Sequence, residues 1–216
     1  MHAQAAQTPN KLPNQSLTEM VYAYRIREAC YINLTNRCTL RCAFCPKFNK
    51  GWTVKGHRLR LRSEPEPAAV LEAIGDPRCY QEIVFCGLGE STLRLEAMQE
   101  VADQLKPSGV RLRLNTDGLG NWVHDRDITP ELGRRFDALS VSLNAQNEAV
   151  YDRHCRPPRP GSFPALLGFV ERVREQVPEV TLTAVNGLEG VDMAACEELA
   201  NQLGAGFRRR VLDQVG

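Results

Sequence analysis

Nowhere in the 216 residues is there an apolar run long enough to cross a bilayer. The opening stretch, MHAQAAQTPNKLPNQSLTEM, lacks the apolar core of a secretory signal. Charge of one sign is missing too. With 27 Lys and Arg against 26 Asp and Glu, the net charge is +1, so no global field drives the chain onto nucleic acid or a membrane surface. No internal repeat is evident. These absences lead us to expect a cytoplasmic protein with a loose tail, residues 1–20, ahead of one domain, 21–216. Its 43% hydrophobic content is enough to bury a substantial core.

Cysteine, by contrast, is plentiful. Eight cysteines in a reducing compartment point to metal or redox chemistry before a disulfide framework. Three of them, Cys38, Cys42 and Cys45, stand in YINLTNRCTLRCAFCPK, and no other follows until Cys79. Four thiolates would close a tetrahedral zinc site, whereas three leave a position open. Cys30, Cys86 and Cys196 sit in apolar stretches and read as small buried hydrophobes, and Cys79 lies in a connection. Cys155, beside His154, is kept as a candidate catalytic residue.

Strand-like and helix-like runs alternate. Strands are expected at 30–35, 82–87, 111–116, 138–144, 180–186 and 207–212, each short, apolar or β-branched, and bounded by Gly, Asn or Asp. Between them, EPEPAAVLEAIGDP has prolines at its start and a Gly-Asp-Pro stop. STLRLEAMQEVADQLKPSG carries Leu95, Met98, Val101, Ala102 and Leu105 at helical spacing. TPELGRRF offers Thr129 as N-cap and Pro130 at the first position. FPALLGFVERVREQV and VDMAACEELANQLG add two more helices. The alternation predicts an α/β fold, a partial six-stranded parallel β/α barrel, because a closed eight-stranded barrel typically takes about 250 residues. In such a fold chemistry sits at the C-terminal ends of the strands. The cysteine run, CGLGES, NTDG and SLNAQ all fall there.

With that placement, Cys-x-x-x-Cys-x-x-Cys with Phe44 before the last cysteine resembles the signature of the radical SAM superfamily. GLGE at 87–90 is similar to its Gly-rich second motif. The chain is most like the TatD-associated radical SAM proteins, through YINLTNRC, EIVFCGLGE, RLRLNTDGLGN and SVSLNAQNEAVYDRHCRP. Ser91 replaces their usual proline and Asp117 their commoner asparagine. The resemblance implies that Cys38, Cys42 and Cys45 hold three irons of a 4Fe–4S cluster. The fourth iron then chelates S-adenosylmethionine (SAM), whose reductive cleavage gives a hydrogen-abstracting 5′-deoxyadenosyl radical. It further implies that Glu90 and the backbone of Gly87 to Gly89 meet the methionine ammonium. Ser142 and Asn144, with Asn115 as a further candidate, serve the ribose or carboxylate, and Phe44 lies near the adenine. An electron donor such as flavodoxin or ferredoxin and a functional link to a TatD-type hydrolase are implied as well. Nucleic acid as a partner stays open.

Three other readings stand beside this one. They are a 7-carboxy-7-deazaguanine synthase, a glycyl-radical activase, and a non-catalytic iron–sulfur or zinc module. Against the first, Pro46-Lys47 follows the last cysteine where that family places Asp-Thr. KFNKGWTVKGHRLRLRS, residues 47–63, is basic and holds no acid. Arg58, Arg60 and Arg62 alternate with leucines, which puts the guanidinium groups on one face of a strand or hairpin. That face is either solvated or a clamp for an anionic substrate.

Overall fold

The computed structural model describes residues 20–212, so the expected N-terminal tail lies outside the described residues except for Met20. Seven strands form one sheet in the order β1-β2-β5-β6-β7-β8-β9. They are β1 (Ala23–Ile26), β2 (Ala29–Ile32), β5 (Glu82–Phe85), β6 (Arg111–Thr116), β7 (Ala138–Ser142), β8 (Glu179–Asn186) and β9 (Gly206–Val211). The six from β2 to β9 are parallel, as the alternating pattern predicts. A separate hairpin pairs β3 (Thr53–Val54) with β4 (His57–Arg58) across Lys55 and Gly56, both at positive φ.

β1 was not expected. It runs antiparallel to β2 and stacks Tyr24 on Tyr31, their ring centroids 5.5 Å apart. The turn that joins them uses Arg27 at φ +54°, a conformation usually signalled by Gly or Asn, so the sequence carries no punctuation there. Several expected strands also end early. β2 stops at Ile32, β5 at Phe85 and β7 at Ser142, which lengthens the loops at the rim.

The helices are α1 (Pro46–Asn49), α2 (Pro67–Ile74), α3 (Leu95–Leu105), α4 (Gly120–Val123), α5 (Thr129–Gly133), α6 (Glu148–Cys155), α7 (Ser162–Val173) and α8 (Met193–Gln202). α3 buries Leu95, Met98, Val101, Ala102 and Leu105, the face its spacing predicts. α2 opens on Pro67 and ends at Gly75 with φ +69°. α8 is capped by Asp192, whose carboxylate accepts from the N–H groups of Ala194 and Ala195. Thr129 is not the N-cap of α5. It is the first helical residue, and Asp127 accepts from both its N–H and its hydroxyl.

Strand alternation divides the sheet into two environments. Leu112, Leu114, Leu139, Val141, Leu182 and Ala184 face the helices in the main core. The opposite, inner face begins with an apolar patch in which Tyr31 and Val84 pack on Tyr24, Ile26, Val54 and Leu59. Further along it turns polar. In register, Arg113 lies beside Val84, Ser140 beside Asn115, Thr183 beside Ser142 and Arg208 beside Thr183.

Candidate active site

Cys38, Cys42 and Cys45 lie on the irregular segment that leaves β2, all three partly buried and none in a disulfide. That segment is tied on several sides. Asn33 Nδ2 donates to Val21 O at 3.0 Å and to Leu59 O at 2.8 Å. Asn36 exchanges two bonds with the backbone of Leu61, and Lys47 Nζ donates to Asn36 O. Arg41 N donates to Cys155 O at 3.0 Å and Ala43 N to His154 O at 2.8 Å, which pins the loop to the end of α6. Cys45 precedes Pro46, and its carbonyl accepts from Phe48 N to start α1. Phe44, half-buried, packs its ring against the main core.

The Gly-Leu-Gly-Glu turn docks against this loop. Glu90 N donates to Arg37 O at 2.8 Å. A Cβ at Gly89 would collide with the carbonyl oxygens of Thr35 and Arg37, and one at Gly87 with the Asn33 side chain. The glycines are therefore required by the approach of one loop to another within the chain.

Glu90 is almost fully buried at 4% exposure. Its Oε1 accepts from Thr92 N at 3.1 Å, Thr92 Oγ1 at 2.8 Å and Thr116 Oγ1 at 3.0 Å, and its Oε2 from Asp117 N at 2.8 Å. Three of the four donors meet Oε1 and one meets Oε2, so the carboxylate is held firmly while Oε2 keeps an open acceptor site. Beside it, Asp117 Oδ1 accepts from Leu119 N, while Oδ2 is buried without a partner. Burial raises both carboxyl groups. Asp117 stands well above the usual range, first from burial and then from the charge of Glu90. The donors around Glu90 pull it back down in part. Burial also raises Cys38, with Asp117 and Glu90 adding to the effect, and raises Cys45. Cys42 is raised first by a hydrogen bond with Cys155 and then by burial.

Asn144 is completely covered and takes φ +60°. Its N donates to Thr183 O, its Nδ2 approaches Cys155 Sγ at 3.6 Å, and its Oδ1 lies 3.5 Å from Arg210 Nη2. Ser142 is half-buried on the inner face, and Asn115 accepts from Arg113 Nη1 at 2.8 Å. Cys155 is fully buried, its thiol held between Asn144 and Cys42. Cys30 and Cys196 are buried as expected. Cys86 is half-buried rather than buried: it packs against the apolar patch of the inner face, next to Asn115.

Arg58, Arg60 and Arg62 are exposed while Leu59 and Leu61 are buried, so their alternation is real. The segment lies beside the cysteine loop through Asn33 and Asn36, and Arg60 rests over the ring of Trp52. Two participants escaped the sequence reading. Thr92 and Thr116 look like ordinary turn and strand residues, and only their closeness to Glu90 gives them a role. In the Arg208–Arg210 run, alternation sends Arg209 outward to Glu197 and leaves Arg208 and Arg210 facing inward.

No curated protein matches the chain in sequence. Among solved structures, SuiB from Streptococcus suis bound to the precursor peptide SuiA is similar, with 12% identity and TM-score 0.63, over 84% of this chain and 38% of that one. Methylornithine synthase, PylB, matches at 13% identity and TM-score 0.58, over 85% of this chain and 53% of that one. The FeFe-hydrogenase maturase HydG from Carboxydothermus hydrogenoformans matches at 18% identity and TM-score 0.57, over 85% and 44%. The chain thus spans between 38% and 53% of the length of these three. At such identities the likeness is one of fold. The model of the Radical SAM superfamily matches residues 32–203, and the chain belongs to that superfamily of enzymes, which use a 4Fe–4S cluster and SAM.

Proposed function

We propose that this chain cleaves SAM reductively and abstracts hydrogen from a small anionic or nucleotide-like substrate. The observation that carries the reading is the convergence of four loops on one rim: three thiols after β2, Gly87–Glu90 after β5, Asn115–Asp117 at β6 and Ser142–Asn144 at β7. Cys38, Cys42 and Cys45 would each hold one iron. When bound, the cluster and SAM supply one-electron chemistry that ends in a hydrogen-abstracting radical. The residues present fit such an occupant. Around the rim Thr39 Oγ1, Asp117 Oδ2 and Arg210 Nε are buried polar atoms without partners. Among the described residues no three His, Cys, Asp or Glu side chains gather as around one ion, and a cluster does not ask for that, since each thiolate takes its own iron.

Four donors within the chain hold the Glu90 carboxylate at the turn, which gives it a structural part beside the one the resemblance implies. Its open Oε2 site, the carbonyls of Gly87 to Gly89 and Asp117 Oδ2 are the acceptors offered to the methionine ammonium. Phe44 offers an apolar surface to the adenine, and Ser142, Asn115 and Asn144 offer polar atoms to the ribose and carboxylate. Reduction calls for an electron donor, flavodoxin or ferredoxin in this reading. The motif likeness supports reading the chain as one of the TatD-associated proteins, and the link to a hydrolase rests on that association. No described helix is long and apolar enough to span a membrane. We read the protein as cytoplasmic because its thiols need a reducing compartment.

The test is anaerobic incubation of reconstituted protein with dithionite and SAM. Accumulation of 5′-deoxyadenosine is expected. A chain that holds iron but yields none would be a binding module.

A further inference from the structure

Resting on the reading above, we propose that Arg210, with Arg208 one layer below it, forms an anion subsite on the inner face of the sheet that takes a carboxylate or phosphate group of the substrate. The case begins with strand alternation in β9. Arg209 faces outward, where its Nη2 donates to Glu197 of α8 at 2.9 Å. Arg208 and Arg210 therefore face inward, in register with Thr183 and Val185 of β8.

Four arginines share that inner face with two carboxylates. Arg111 is paired with Glu179 at 2.6 Å and Arg113 with Glu82 at 2.6 Å. Both carboxylates are thus committed, and neither Arg208 nor Arg210 has an ion pair among the described residues. Arg210 is the more isolated. Its Nε is buried with no partner, and its one contact is the stretched 3.5 Å approach to Asn144. A guanidinium does not shed its proton to escape such a position, so the charge stays. Burial lowers its pKa, and the groups around it are Cys86, Arg208, Cys42 and Cys155, with Cys45 close by and no carboxylate among them. Asn144 links it directly to Cys155, which in turn meets Cys42. An unpaired guanidinium therefore stands beside the cysteine loop with its fork free for two bonds to one anion. Below it, Arg208 reaches an open cavity of about 440 Å³ at the base of the sheet, lined also by Ala29, Glu82 and Arg111; Arg210 itself does not line that cavity. Arg58, Arg60 and Arg62 lie outside this face and remain a separate question.

A carboxylate at Arg210 has two sources, the substrate or SAM's own methionine end, and the experiment separates them. Reconstituted protein is titrated calorimetrically with inorganic phosphate at matched ionic strength. Wild type is expected to bind saturably, and Arg209→Gln to match it. Arg210→Gln should lose about tenfold or more in phosphate affinity, while SAM affinity from the cluster's EPR signal holds. Should the Gln variant not fold, Arg210→Lys carries the test: it keeps charge, loses the fork and should bind phosphate severalfold more weakly. Equal phosphate affinity in wild type and the Arg210 variants, or no saturable binding in wild type, overturns the subsite. An equal loss of SAM affinity in Arg210→Gln assigns the anion to SAM and overturns the substrate assignment. Production of 5′-deoxyadenosine by wild type is scored separately, so failure of the radical chemistry is not mistaken for failure of the subsite.

Discussion

Removing Glu90 should cost stability before it costs SAM binding. In Glu90→Ala, two backbone N–H groups, from Thr92 and Asp117, lose their acceptor in a buried setting. Each stranded donor costs about 1–3 kcal/mol. The two hydroxyls are cheaper to release, because they rotate; that of Thr116 already accepts from Gly118 N at 3.1 Å. Relief of a buried charge next to Asp117 offsets part of the loss, and we expect a net cost of about 4 kcal/mol. Glu90→Gln keeps the three bonds at Oε1 and sets an amide NH₂ against Asp117 N–H, so about 2 kcal/mol is lost. For a domain of this size each kcal/mol moves the melting temperature by about 2–4 °C. Glu90→Ala should therefore melt about 10 °C below wild type and Glu90→Gln about 5 °C below, measured by circular dichroism on the cluster-free chain with thiols kept reduced. Were the carboxylate chiefly a contact for the methionine ammonium, the ranking would differ. Stability would hold within about 0.5 kcal/mol, and SAM affinity in the loaded protein would fall about ten- to a hundredfold. That outcome would refute the reasoning.

Alanine at Cys38, Cys42 or Cys45 should strip most of the about four irons per chain expected of reconstituted protein, whereas Cys30→Ser, Cys79→Ser and Cys196→Ser should retain them by colorimetric assay. Reversing Arg58, Arg60 and Arg62 to Glu should leave 5′-deoxyadenosine formation intact and abolish turnover of the true substrate; normal turnover would make that stretch a solvated face. At the base of the sheet, the hydrogen bonds from Arg113 hold the Glu82 carboxyl below its usual range. A depressed acid stabilises the fold above its unfolded pKa, and that contribution is lost as pH falls through the folded value. Glu82→Gln should cost about 2 kcal/mol at pH 7 in urea denaturation, with the gap to wild type closing below about pH 4.

The six parallel strands were legible because their apolar, β-branched runs are bracketed by Gly, Asn and Asp, and α3 because its five buried positions follow one helical stripe. β1 was not, since its residues give no turn signal and Arg27 supplies the positive φ unannounced. The rim was legible as a place: the cysteine run, the Gly-Leu-Gly-Glu turn and the polar ends of β6 and β7 all follow predicted strands. Direction was harder to read. No motif says that Thr92, Thr116 and Asp117 donate to Glu90, because those partners converge only in three dimensions. Cys86 looked like core because its strand is apolar, and only the parity of the pairing puts it on the inner face.

The backbone bonds from Arg41 and Ala43 to Cys155 and His154 set an order on biosynthesis. The three thiols leave the ribosome about 110 residues before the helix that pins their loop. At about 5–20 residues per second, that interval is on the order of ten seconds. Throughout it the cysteine loop lacks its anchor to α6, and its thiols are open to oxygen and to stray metal. Iron delivered then meets no formed receptacle, so productive loading waits until α6 has been made and packed. Cells producing this protein would gain more from exclusion of oxygen during synthesis than from extra iron in the medium.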